Sequence, residues 1–387
     1  MKASIVGLCA ATVGVAAAKN CVNTTIDIDV SARNGVFDKI DTPRTNSDAI
    51  SFILSTTRQG GNGTADALSG YKTVHGRYQI SAQYCSPDEA PNSGQTLQIL
   101  SHGVGFDKTY WDLPYNNFNY SYVDHALSQG YHTLSYDRLG VGKSSRSEPK
   151  NETQLFLEIE ALAELTKVVR GGNVPNVDLH PEKIVHVGHS FGSALAYAMT
   201  AEYPDLSDAI ALTGFSMNAS YFPLFMAGAN FHQAHLDEVI SKRAKTDPSS
   251  KYPEGYLTSG DISSNEFLFF TPNHFDPEIL EFAEQSKQPA TVGELLTVGS
   301  LPAESKFAGP VFVITGSNDV PFCGGDCLST GGAASSIPAA AKAVFKSAKE
   351  FTAFIQPNSG HGLNFHYNAK AGYQKISSFL KSHGLDA

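Results

Sequence analysis

Residues 184–196 read Ile184-Val-His-Val-Gly-His-Ser-Phe-Gly-Ser-Ala-Leu-Ala196. A β-branched run enters Gly188-His189-Ser190-Phe191-Gly192 and leaves as an alanine-rich stretch that favours helix. A turn passing from strand to helix in so few residues leaves no room for side chains two positions either side of its apex, which is the steric reason for Gly188 and Gly192. Ser190 is left exposed on that strained apex. The helix starting behind it points unpaired N–H groups at any anion formed beside the serine. Ser190 is therefore the candidate nucleophile.

A serine hydroxyl needs a base, and the base needs an orienting acid. In sheets of this kind the partners follow in the order Ser, Asp or Glu, His, at the carboxyl ends of later strands. Val311-Phe-Val-Ile-Thr-Gly-Ser-Asn-Asp319 is a strand ending in a carboxylate. Phe351-Thr-Ala-Phe-Ile-Gln-Pro-Asn-Ser-Gly-His361 is a strand ending in a histidine between two glycines. Asp326 and Glu266 compete for the acid and His366 for the base; strand context and chain order favour Asp319 and His361. Upstream, Leu97-Gln-Ile-Leu-Ser-His102-Gly-Val-Gly-Phe106 is a strand entering a glycine-rich loop, where a second oxyanion donor belongs. The expected donors are the backbone N–H groups of Val104 and Phe191, with His102 bracing the loop.

From residue 97 onward, short apolar strands alternate with helix-length intervals: 97–100, 131–136, 183–187, 209–213, 311–315 and 351–355. This is the pattern of a mostly parallel sheet with helical crossovers. Helices are expected at about 153–170, from Phe191 to near Pro204, and at about 367–382. Nearly a hundred residues separate the strands at 209 and 311, more than one crossover needs, so 216–305 is expected to be a mainly helical cap inserted into a core of 71–215 and 306–387. Most of its aromatic residues are expected to build a small core of the insertion's own. Gly103, Phe215, Phe222, Phe225 and Leu363 are the candidates for a substrate-binding surface. Residues 73–84 read as a strand, with a hairpin following. The polar stretch 19–70 reads as an extension over the core.

Lys2, an apolar run from Ile5 to Val15 and Ala16-Ala17-Ala18 have the form of a secretory signal peptide over residues 1–18, too short for a membrane span. Secretion gives Cys21, Cys85, Cys323 and Cys327 an oxidising setting. Three pairings are open; Cys21 with Cys85 and Cys323 with Cys327 is favoured because each pair lies in one region. Zinc at Cys323 and Cys327 would need a further Cys/His pair, and none is near in sequence. Sequons at Asn23, Asn62, Asn119, Asn151 and Asn218 suit a glycoprotein. Across the 387 residues, 28 Lys+Arg against 38 Asp+Glu give a formal charge of −10, which argues against nucleic acid and anionic membranes as partners.

Ser101-His-Gly103, Tyr136-Asp-Arg-Leu-Gly-Val-Gly-Lys-Ser144, Gly188–Gly192, Gly316-Ser-Asn-Asp319 and Gly360-His361 resemble, in order, the landmarks of the α/β-hydrolase fold. The resemblance covers about residues 75–385 and is strongest to single-domain serine hydrolases with a cap. It implies a sheet of about eight strands, a Ser190–Asp319–His361 triad, Val104 and Phe191 as oxyanion donors, and no metal or organic cofactor. The expected activity is cleavage of a small apolar carboxylic ester or lactone through an acyl-enzyme. Amide hydrolysis, acyl transfer or C–C cleavage on the same triad is the alternative, with a non-catalytic binding protein as a third. In departure from many members, Cys323 and Cys327 would staple the loop presenting Asp319.

Overall fold

The computed structural model describes residues 19–88 and 95–386; the expected signal peptide and the turn-rich stretch ending at Gly94 lie outside the described residues. Eight strands form one sheet: β1 (Asn20–Val36), β2 (Gly70–Ser86), β3 (Thr96–Ser101), β4 (His132–Tyr136), β5 (Lys183–His189), β6 (Ala209–Thr213), β7 (Val311–Gly316) and β8 (Phe351–Gln356). Their order is β1-β2-β4-β3-β5-β6-β7-β8. All pairings from β4 to β8 are parallel, while β2 runs antiparallel to both β1 and β4.

Both faces of the sheet are covered, which is why its central strands read as unbroken apolar runs. Ile210, Leu212, Val311 and Val313 enter the cluster under helices Leu155–Arg170 and Phe191–Glu202. Their alternates Ala209, Ala211, Phe312 and Ile314 enter the cluster under Tyr122–Ser128 and Ala369–Ser382.

The stretch after residue 19 is not an extension laid over the core. Residues 20–36 are the first strand of the sheet, paired with β2 along its whole length from Asn20 opposite Ser86 to Val36 opposite Gly70. Ile26, Ile28, Val30 and Ala32 are buried, in one cluster with the helix Leu155–Arg170, and the intervening Asp27, Asp29, Ser31 and Arg33 face out. This two-residue period is that of a half-covered strand; the charged alternates make the segment polar on average. Nor does a hairpin follow β2. Its neighbours are β1 and β4, and β3 lies one strand further in, between β4 and β5.

The insertion between β6 and β7 holds helices Phe222–Ala229, Glu238–Arg243, Ile262–Phe269, Pro277–Ser286 and Val292–Thr297, with a small sheet of His232–Gln233, Tyr256–Thr258 and Ala290–Thr291. Its aromatics do not mainly form a core of their own. Phe225, Phe231, Phe269 and Phe270 share one buried cluster with Phe106, Tyr110 and Phe365 of the main body. Only Tyr252 and Tyr256 sit in a separate cap cluster, with Ala234 and Ile240. The cap is thus packed as a continuation of the core. No described helix is long and apolar enough to cross a membrane.

Disulfides join Cys21 to Cys85 and Cys323 to Cys327. The first staples β1 to β2 across a sequence separation of 64 residues, for which chain entropy gives about 4 kcal/mol. Urea unfolding of the Cys21→Ser, Cys85→Ser protein should show a loss approaching that size; a loss under about 1 kcal/mol would mean that the strand ladder alone holds β1.

Candidate active site

Four strand ends converge on one point. β5 ends at His189, and Ser190 takes φ +55° and ψ −116° as the N-cap of the helix Phe191–Glu202. A left-handed φ is costly for a residue with a side chain, on the order of 1–3 kcal/mol, so the surroundings must impose it. They do so through the glycines: a Cβ on Gly188 would lie 2.5 Å from the Gly192 carbonyl oxygen, and one on Gly192 would collide with the Ser101 carbonyl. The Ser190 N–H donates to Thr213 O at 2.9 Å, and the Ser193 hydroxyl donates to the same oxygen at 2.8 Å.

His361, on the loop after β8, has its Nε2 2.8 Å from Ser190 Oγ and its Nδ1 2.7 Å from Asp319 Oδ2. An ionised carboxylate can only accept, so Nδ1 carries the ring proton and Nε2 is free to accept from the serine. Asp319 and His361 are buried and Ser190 is half-buried. Asp319 caps the short helix Val320–Cys323, its Oδ1 accepting from the Phe322 N–H at 2.9 Å. Its Oδ2 also accepts from the Thr315 hydroxyl at 2.5 Å. Two of the three rivals are otherwise engaged: Asp326 Oδ1 accepts from the Leu328 N–H, and both nitrogens of His366 are taken up by backbone groups.

The loop after β3 closes the opposite side. A Cβ on Gly103 would fall 2.9 Å from Ser190 Cβ, so only glycine lets this loop approach the serine. Among the described residues, no turn, loop or cap hydrogen bond takes up the N–H of Val104 or of Phe191. His102 is buried and braces the loop as expected: its Nε2 accepts from the Arg138 N–H at 3.0 Å, so Nδ1 donates to Gly103 O at 2.9 Å. Burial, reinforced by the Arg138 charge, holds its imidazole well below the usual histidine range.

The Asp137–Ser144 stretch organises this loop and the cap together. Asp137 accepts from the Lys108 N–H, the Lys108 ammonium and the Lys143 N–H. Arg138 is buried with its guanidinium 4.5 Å over the Phe191 ring. One of its nitrogens bridges Glu158 of the helix Leu155–Arg170 at 2.7 Å and Glu294 of the cap at 2.5 Å. Burial, with Glu294 facing it, pushes the Glu158 carboxyl well above the carboxylate range.

The predicted lining residues divide. Gly103 touches the serine. Leu363 is buried, and its N–H donates to His361 O. Phe215 packs on Phe322, whose ring centroid lies 5.7 Å from that of His361. Phe222 and Phe225 stack on each other, and Phe225 meets Phe231 edge to face, within the cap. Of the five sequon asparagines, Asn23, Asn62 and Asn119 are exposed, while Asn151 and Asn218 are half-buried.

Three residues around His361 and Asp319 were not singled out from the sequence. Phe269 of the cap lies 6.1 Å from His361 and nearly parallel to it. His189 lies 4.9 Å away and stacks on Tyr110 at 4.4 Å. Burial, together with the neighbouring His361, keeps the His189 ring well below the usual range and therefore neutral. Thr315 grips the acid. Only Thr315 carried a signal, a hydroxyl on the strand four residues before the carboxylate.

Residues 98–371 match the model of the alpha/beta hydrolase family, and the chain belongs to that family. Among solved structures, a thermophilic esterase from Thermogutta terrifontis is similar at 15% identity and TM-score 0.52, covering 80% of this chain and 95% of its own. A monoacylglycerol lipase from Paleococcus ferrophilus is similar at 15% identity and TM-score 0.50, covering 79% of this chain and 99% of its own. No protein with a curated description matches the chain by sequence.

The Cys323–Cys327 bond closes a loop of only four residues in sequence separation, so its chain-entropy contribution is about 2 kcal/mol. Its placement suggests a larger effect on the site. Cys323 N–H donates to Asp319 O, Cys327 N–H to Ser317 O. In a Cys323→Ser, Cys327→Ser protein, turnover should fall more than stability does, measured as kcat against the urea midpoint; unchanged kcat would show that the hydrogen bonds suffice to hold Asp319.

Proposed function

We propose that this chain is a secreted serine hydrolase that cleaves carboxylic esters or lactones bearing apolar groups, with Ser190 as nucleophile. The observation that carries the reading is the continuous hydrogen-bonded line from Asp319 through His361 to Ser190 at a strained strand-to-helix apex. His361 Nε2 takes the hydroxyl proton as Ser190 Oγ attacks the carbonyl carbon. The carbonyl oxygen gains negative charge and is met by the N–H groups of Val104 and Phe191, each donor contributing about 3–4 kcal/mol at the transition state. The imidazolium gives its proton to the departing alcohol, leaving the acyl-enzyme. Water then repeats the sequence, with Ser190 as the leaving group. Asp319, fixed by Thr315 and the Phe322 N–H, accepts from His361 Nδ1 and holds the tautomer.

Preference for apolar groups is supported by what borders the site: Phe322, Phe269, Phe215 and the half-buried Val104. Secretion and glycosylation are supported by the apolar N-terminal stretch, the two disulfides and the exposed sequons at Asn23, Asn62 and Asn119. The similarity to an esterase and a lipase agrees with ester chemistry.

The test is release of p-nitrophenol from short- and medium-chain esters. Ser190→Ala should lower kcat by about 10⁶-fold, and Asp319→Asn by roughly 10⁴-fold through the wrong tautomer. Hydrolysis that persists in Ser190→Ala would overturn the assignment.

A further inference from the structure

His366 lies five residues beyond His361 and is the other histidine of that loop. Its ring is fully buried, and every polar atom on it is committed to backbone. Nε2 accepts two N–H groups, from Gly360 and from Thr271, each at 3.0 Å. A nitrogen that accepts carries no proton, so Nδ1 holds it and donates to Gly362 O at 3.0 Å. Gly360 and Gly362 are the two residues flanking His361, and Thr271 belongs to the cap, two residues after the helix Ile262–Phe269.

Neither of those two positions offers the loop a side chain with which to grip its surroundings. A Cβ on Gly360 would fall 2.8 Å from Phe270 backbone atoms, and one on Gly362 would lie 2.7 Å from the Phe365 ring. Both residues must therefore be glycine, without side chains to anchor them. The cap supplies one further contact, the Gly362 N–H donating to Phe269 O at 2.8 Å. A further hold, and one that reaches both positions, is the His366 ring, whose backbone is in turn pinned by an antiparallel bridge to Phe275. Burial pushes this imidazole down to about 4, so the ring is neutral near pH 7 and keeps one donor and one acceptor.

We propose that His366 is a positioning residue: its imidazole fixes the peptide groups on both sides of His361 and ties them to the cap at Thr271, so that His361 Nε2 stays aimed at Ser190. This rests on His361 being the base, as proposed above. The role requires an acceptor at the Nε2 position. Glutamine places an amide oxygen near that point; asparagine reaches only the Nδ1 position, and alanine reaches neither.

The test compares wild type, His366→Gln, His366→Asn, His366→Ala and His361→Ala on one p-nitrophenyl ester, with kcat expressed per folded molecule and thermal unfolding followed in parallel. A displacement of the base by an ångström costs on the order of 100-fold in rate. His366→Ala should lose kcat on that scale with KM unchanged, and His366→Gln should recover most of it. A purely structural role would lower the melting temperature of all three His366 variants without separating Gln from Asn or kcat from KM. Wild-type kcat in folded His366→Ala overturns the proposal. If the alanine protein does not fold, the Gln and Asn proteins decide: higher kcat for Gln supports it, and equal values overturn it. Full activity in His361→Ala would instead remove the base assignment, and the proposal with it.

Discussion

Ser190 held at φ +55° is the constraint around which this molecule is built. The turn exists because β5 must become a helix within two residues, and it persists because backbone stands where side chains at 188 and 192 would go. Once the serine is fixed there, its partners have to arrive at the same end of the sheet. β7 and β8 deliver them, since parallel strands all finish on one edge. β3 delivers the facing loop, pressed so close that Gly103 can carry no side chain. The hydrogen bonds of 2.7 and 2.8 Å along Asp319, His361 and Ser190 are the consequence of that shared edge.

Several buried polar groups surround this site. His102, His189 and His366 are driven to the neutral form by burial, so none adds a charge beside His361. Arg138, a buried cation, has two carboxyls against it. Two of these groups also join cap to core. Arg138 links Glu294 to the region under Phe191, and His366 links Thr271 to the loop of His361. The cap is therefore tied both to the Phe191 side of the candidate site and to the loop of His361.

The sequence carried the core of this arrangement because strand, turn and order are local properties. Gly188–Gly192, the strand ending at Asp319 and the glycine-flanked His361 could each be read within about ten residues. The eight-stranded α/β-hydrolase fold followed from the same landmarks. What was misread was also local but of low contrast. Ile26-Asp-Ile-Asp-Val-Ser-Ala-Arg33 alternates cleanly, yet its charged half made β1 pass for a polar extension. The destinations of Phe269 and Phe270 depended on contacts distant in sequence, with His361 and Phe365. No periodicity distinguishes a ring that packs within the cap from one that lies beside His361. The contacts of Thr315 and His366 could not be read for a related reason: they reside in the single hydrogen bond or pair of peptide groups each residue meets.

The most direct measurement of the central claim, that His361 activates Ser190, is covalent labelling of the folded protein with a fluorophosphonate followed by peptide mass mapping. The predicted result is one adduct, on the peptide bearing Ser190, with labelling slowed strongly in His361→Ala and abolished by unfolding the protein first. No adduct on folded wild type, or an adduct at another serine with Ser190 unmodified, would contradict it.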